Sequence, residues 1–218
     1  MSQYCVDLNI FTNCTKNFSN NASLITNTFN SFVDTFSLDL INNIRVFVDP
    51  QPKDCNLNNY IEQIKKNIPY DEIIITNGLA DGYIKSINIC ESDYLFQLEH
   101  DWIFTKNIKH SLNDIMSLIV GIDSEHFRFN KRSNVVHGED VLVERSYDGM
   151  KYCKTPIRSN NPHIINRKSY IDKWNAHINL NNILNGSNGI ENNLKNTGGF
   201  VYGPMHMSQS IIHTDGKS

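Results

Sequence analysis

Apolar and polar positions follow two rhythms in the first hundred residues, and the rhythms take turns. "YCVDLNIFT" is a strand-like run that ends in a polar loop, and "ASLITNTFNSFVDTFS" then sets Leu24, Ile25, Phe29, Phe32, Val33 and Phe36 at helical spacing. The pair repeats as "NIRVFVD", closed by the turn "PQPKD", followed by "LNNYIEQIKKNI" with Leu57, Tyr60, Ile61, Ile64 and Ile68 on one face. "DEIIITN" predicts a third strand, "LADGYIKSINICES" a helix and "DYLFQLE" a fourth strand. This βαβαβαβ order predicts an α/β fold with a mostly parallel central sheet, helices on both faces and right-handed crossovers.

The second half is less regular. "NIKHSLNDIMSLIVGI" predicts a helix, "HFRFNKRS" and "DVLVERSY" strands, and "SNNPHIINRKSYI" a loop running into a strand or helix start. "NLNNILNGSNGIENNLKN" is polar and dense in asparagine, with a short helix expected from Gly189 or Ile190. No internal repeat or linker composition breaks the 218 residues, so a single domain is expected.

Open parallel sheets bind ligands beyond the carboxyl ends of their strands. Those ends are Thr12-Asn13, Asp49, Thr76-Asn77-Gly78 and Glu99-His100-Asp101, each polar directly after an apolar run. Two carboxylates at i and i+2 repel one another once desolvated, so a positive charge must compensate them. A hard cation, Mn²⁺ or Mg²⁺, takes one or two protein carboxylates plus substrate phosphates, which suits an open loop. The chemistry that follows is that of a phosphate-ester site.

The formal charge of −3, from 20 basic and 23 acidic residues, gives no polyanion-binding surplus, so a nucleic-acid partner is not expected. Five cysteines (Cys5, Cys14, Cys55, Cys90, Cys153) include no CxxC pair and read as reduced, mostly buried thiols. The start "MSQYCVDLNIF" lacks the features of a signal peptide, and no run reaches the roughly 20 apolar residues of a membrane span. A soluble, cytoplasmic protein is the expectation.

The stretch "NGLADGYIKSINICESDYLFQLEHDW" resembles the central part of a GT-A-fold glycosyltransferase near family two. There an Asn- and Gly-containing loop precedes a helix and a strand that ends in a DxD-type metal motif. Asn77-Gly78 stands at the loop and Glu99-His100-Asp101 at the DxD position. The resemblance implies a Rossmann-like fold with a nucleotide-binding half (1–104) and an acceptor-side half (105–218). It implies metal-dependent transfer of a sugar from a nucleotide-sugar donor, a UDP-sugar, to a hydroxyl of a glycan acceptor. Thr12 and Asp49 would hold the nucleoside, and Glu99 and Asp101 the metal, completed by a late histidine: His213 first, His206 second. "SNNPHIINRKSY" resembles an acceptor-side segment, with Asn161 and His163 toward the acceptor. An inverting enzyme needs a general base. Glu191 in "NGIENNL" takes that part, with Asp140 in "HGEDVLVE" as the alternative. The chain departs from the family in carrying Glu99 for the first Asp and in lacking an Arg-Asn pair after the Asn/Gly loop, where Lys85 is the substitute charge.

The same residues have plainer roles open to them. Asp49-Pro50 and Asn77-Gly78 suit ordinary turns, Trp102 suits packing of the loop against the core, and the middle residue His100 is expected to point away from its neighbours. Two other functions keep the acidic strand end. A nucleotidyltransferase would open with a Gly-rich basic loop after the first strand, but "FTNCTKNFSN" has no glycine. A non-catalytic nucleotide- or carbohydrate-binding module would bind without turnover.

Overall fold

A computed structural model describes residues 4–14, 22–50, 56–177 and 198–214, the side chains of 173–177 excepted. The first half folds as its rhythms predict: β1 (Val6–Cys14), α1 (Ser23–Thr35), β2 (Ile41–Pro50), α2 (Leu57–Asn67), β3 (Glu72–Ile75), α3 (Leu79–Ile89) and β4 (Tyr94–Glu99). The acidic triplet turns the chain into a short β5 (Trp102–Phe104), followed by α4 (Leu112–Gly121) and β6 (His126–Arg128). Ser111 and Asp114 form a reciprocal capping box that fixes where α4 begins. The rest comprises β7 (Val143–Tyr147), β8 (Met150–Thr155), β9 (His163–Asn166), α5 (Arg167–His177), β10 (Gly199–Tyr202) and β11 (Ile211–His213). "SNNPHIINRKSYI" thus supplies both a strand and a helix, whereas the short helix expected near Gly189 falls outside the described residues.

Nine strands form one sheet in the order β3-β2-β1-β4-β9-β6-β10-β8-β7, and β11 pairs with β5 in a separate two-stranded sheet. Strands β1 to β4 are mutually parallel, as expected. Beyond β4 the sheet is mixed: β9 runs antiparallel between β4 and β6, and β8 antiparallel between β10 and β7. The parallel character therefore belongs to the first half. β1 is central and its residues are almost all buried, so it cannot show the alternation of a half-exposed strand.

The chain builds outward from β1 through β2 to β3, then reverses and places β4 on the other side of β1. With right-handed crossovers, this reversal sends the intervening helix to the opposite face. The packing agrees. Residues of α1, α2 and α4 share one core with Leu8, Ile10, Phe96 and Phe127, while Tyr83 of α3 and Tyr170 of α5 pack with Phe11, Phe47, Leu95 and Ile165. The first core centres on Phe32, Phe36, Phe96, Phe104 and Phe129, whose rings meet at centroid distances of 5.1 to 6.0 Å.

Polar groups are also built into the centre. Asp7 is fully buried and is held by Arg45 at 2.7 Å, Asn43 at 3.0 Å and Ser92 at 2.8 Å. Burial works to raise its pKa, but these hydrogen bonds and the guanidinium charge bring it below the usual carboxylate value. Cys14 is disulfide-bonded, which corrects the expectation of five free thiols. Cys90 and Cys153 are buried thiols, both pushed up to about 11 by burial. No helix among the described residues is long and apolar enough to cross a membrane.

Candidate active site at the β1/β4 switch point

Where the strand order of an open sheet reverses, a crevice opens beyond the carboxyl ends of the two neighbouring strands. Here that point lies between β1 and β4. A cavity of about 80 Å³ opens there, lined by Phe11, Thr12 and Asn13 of β1, Phe47 and Asp49 of β2, Thr76 and Leu79, and Glu99 and His100. Among the described residues, the charged members of this lining are Asp49 and Glu99. Thr12 is 5% exposed and its hydroxyl is hydrogen-bonded to Tyr60 of α2, so the side chain expected to hold a nucleoside is turned into the fold. Asn77 and Gly78 lie between two lining residues without lining the cavity themselves.

The loop before α3 is nonetheless built for a purpose. Gly78 caps the helix at φ 100° and ψ 168°, a region essentially restricted to glycine. Asp81 accepts from the Asn77 N–H at 2.8 Å and pairs with Lys85 at 2.7 Å. The Lys85 ammonium also donates to the Ile75 carbonyl at 3.0 Å, so it braces the loop instead of lining the cavity. Gly82, one turn on, allows the close approach of α3 to β1, since a Cβ there would lie 3.2 Å from the Phe11 ring.

The acidic triplet is pinned from two sides. The His100 N–H donates to the Phe11 carbonyl at 2.9 Å, and the Thr28 hydroxyl of α1 donates to the His100 carbonyl. His100 lines the cavity with Glu99, contrary to the expectation that it turns away. Asp101 is turned toward the last strand. Antiparallel pairing of β5 with β11 sets Trp102 opposite His213, whose ring packs on the indole at 4.4 Å. That register carries the imidazole to the carboxylate: His213 Nε2 lies 3.0 Å from Asp101 Oδ2. The Asp101 carbonyl accepts from both the N–H and the hydroxyl of Thr214, at 2.8 and 2.9 Å, closing the join.

Asp101 Oδ1 is buried and has no hydrogen-bond partner. A carboxylate oxygen without a donor, beside an imidazole nitrogen, is a donor pair suited to Mn²⁺ or Mg²⁺. Among the described residues no group of three His, Cys, Asp or Glu side chains converges, so Glu99 does not join this pair into a closed cage. Any further ligands would come from outside the pair. His206, the second choice among late histidines, is an exposed turn residue with φ 66°, remote in register from β5.

The other expected site residues gather at a second cavity, of about 320 Å³, in the mixed half of the sheet. Asp140 and Asn161 line it, together with Arg128, Asn130, Lys131, Arg132 and Arg158. Asp140 accepts from Arg128 at 2.6 Å and from the Thr155 hydroxyl. His163 does not reach the cavity surface as expected. It is 2% exposed, sits in a stack between Tyr83 and His126, and bonds through Nδ1 to the Asn161 carbonyl at 2.7 Å. Burial brings its pKa down to about 4, so it is a neutral core residue rather than a contact for sugar hydroxyls. Glu191, the first choice for a base, lies outside the described residues.

The reading of the sequence missed the arginines of this cavity. A signal was available: β6 runs parallel to β4 through the intervening β9, so Arg128 and the following "NKRS" occupy the same carboxyl edge as the acidic triplet. The strand-end rule extends to them unchanged.

No family model matches the chain, and no curated protein matches it. Among solved structures it is similar to S. aureus TarS 1–349, with 13% identity over 77% of this chain and 49% of that one and a TM-score of 0.45. The same TarS fragment in complex with UDP-GlcNAc matches with 12% identity, over 77% of this chain and 47% of that one, also at a TM-score of 0.45. The chain spans about half the length of these structures.

Proposed function

We propose that the protein is a metal-dependent glycosyltransferase that moves a sugar from a nucleotide-sugar donor, a UDP-sugar, to a hydroxyl of a glycan acceptor. The observation that carries this reading is the pairing of His213 with Asp101, which is next in the chain to Glu99 and His100 of the switch-point cavity and whose Oδ1 is buried without a hydrogen-bond partner. A buried carboxylate oxygen with no donor leaves negative charge that a cation entering with a diphosphate would answer. Asp101, through its unpartnered Oδ1, and His213 are the residues that would hold Mn²⁺ or Mg²⁺. When bound, the ion would neutralise charge on the departing diphosphate.

The chain's own residues divide the remaining work. Asp49, at the end of β2, accepts hydrogen bonds from the nucleoside's hydroxyls, and Phe11 and Phe47, stacked at 5.0 Å, form the apolar side of the cleft. Glu99 contributes a carboxylate to the cleft, toward the metal or its water. Asp140 is the described carboxylate facing the larger cavity. Arg128 and Thr155 fix its orientation, leaving lone pairs to take the proton of an incoming hydroxyl in an inverting transfer.

Calorimetry with UDP, with and without Mn²⁺, followed by an assay of donor hydrolysis, tests the reading. Wild-type protein should bind UDP more tightly with Mn²⁺ and hydrolyse the donor slowly. Asp101→Asn should lower the metal-dependent rate by about a hundredfold or more while melting as wild type does. Full activity in that variant, or UDP binding indifferent to the metal, would refute the proposal. Binding without turnover would favour the non-catalytic module instead.

A further inference from the structure

The larger cavity carries a charge imbalance that neutral sugar recognition does not require. Among the described residues, Arg128, Lys131, Arg132 and Arg158 line it against one carboxylate, Asp140, in a chain whose formal charge is −3. Asp140 is already matched by Arg128 at 2.6 Å, and Arg158 pairs at 3.0 Å with Glu125, which is not part of the lining. Lys131 and Arg132 are exposed at the rim and pair with no carboxylate among the described residues.

Arg128 adds a second, independent sign. It is 8% exposed, with one terminal nitrogen on the Ser159 hydroxyl at 3.1 Å and the other on Asp140, yet its buried Nε has no hydrogen-bond partner. A buried guanidinium N–H left unmatched is costly, and an anion in the cavity that Arg128 lines would offset that cost through the charge of the whole guanidinium. Asn130, Ser133 and Asn161 supply neutral polar groups around it.

We propose that this cavity binds a phosphate group and, resting on the glycosyltransfer reading above, that the acceptor carries that phosphate close to the hydroxyl that receives the sugar. A phosphate brings more charge than a carboxylate and three acceptor oxygens, which suits several cations converging from one wall. Arginine is the side chain whose fork matches phosphate geometry, while a neutral hexose would leave the rim cations unanswered. Among the described residues none lines both this cavity and the switch-point cleft, and the acceptor is assigned to the former and the donor to the latter. Asp140, inside the phosphate cavity, then meets an acceptor whose anionic group is held by the basic wall.

The test uses the full chain without metal or nucleotide, so a failure of the donor reading leaves it intact. Glycerol 3-phosphate, glycerophosphoglycerol, D-glycerate and glycerol are titrated by calorimetry, and by the arginine Nε–H signals in NMR. The phosphate monoester or the diester should bind, shift the Arg128 Nε–H signal and weaken as salt rises, while glycerol gives no heat. Which of the two binds tells a terminal phosphate from a bridging one. The double variant Lys131→Ala/Arg132→Ala, altered only at exposed positions, should melt as wild type does and bind about fivefold more weakly. Equal binding of glycerate or glycerol, or an unchanged affinity in the double variant, would overturn the phosphate assignment. Displacement of glycerol 3-phosphate by UDP would make the cavity part of the donor site and overturn the acceptor assignment.

Discussion

Protonation of the stacked histidines His126 and His163 should dominate the loss of stability on mild acidification. Both rings are at most 2% exposed and lie 4.6 Å apart between Tyr83 and Tyr170. Burial holds the pKa of His163 near 4 against an ordinary 6.5, and His126 is pushed down by burial and by His163, Arg158 and Arg128 nearby. The unfolded chain therefore takes up protons that the fold refuses. The contribution is complete above about pH 6.5 and is lost as pH falls toward 4. For His163 alone, a value near 4 in the fold against 6.5 unfolded gives a loss of about 2 kcal/mol between pH 7 and pH 5. The depressed carboxylates, Asp7 among them, act in a different window, since their stabilisation fades only as pH drops toward and below 3.8. Urea unfolding at half-unit steps from pH 7 to pH 5 isolates the histidines. His163→Gln should flatten the profile by about that 2 kcal/mol, whatever its stability at pH 7. A variant profile parallel to wild type over this range would refute the argument.

Two further substitutions probe the frame. Arg45→Met strands the fully buried Asp7 without its guanidinium and should cost about 3 to 5 kcal/mol in urea unfolding, largely recovered in the Asp7→Asn/Arg45→Met double variant. Independence of the two changes would contradict the pairing. Gly78→Ala meets no atom within 4 Å, so its effect should come from backbone strain at φ 100°, about 1 to 3 kcal/mol by thermal or urea unfolding. A neutral result would show that the loop before α3 relaxes freely.

The first half of the fold was legible because its elements are long and locally specified. α1 and α2 carry their apolar faces at helical spacing, and β1 is one continuous buried run. The second half was harder to read for a physical reason. β5 and β11 have three residues each and depend on distant partners, so their periodicity is too short to announce them, whereas β6, equally short, lies within the predicted strand "HFRFNKRS". The site divides the same way. Asp49 and Glu99 could be found because a parallel sheet exposes its strand ends, and Asp101 because it follows within the same triplet. The approach of His213 to Asp101 depends on the β5–β11 register and entered only through a family resemblance. His163 was misjudged because "NPHIIN" reads equally as a polar loop or as the buried start of a strand, and its neighbours in the stack come from α3 and β6. The basic wall of the larger cavity was hidden by a net charge of −3, which averages opposite local fields.

The most direct test of the central claim is anomalous diffraction at the manganese edge from crystals soaked with Mn²⁺ and UDP. A peak bound by Asp101 Oδ1 and His213 Nε2 is expected, with the diphosphate beside it and the nucleoside against Asp49. A peak elsewhere, or none while UDP is bound, would contradict it.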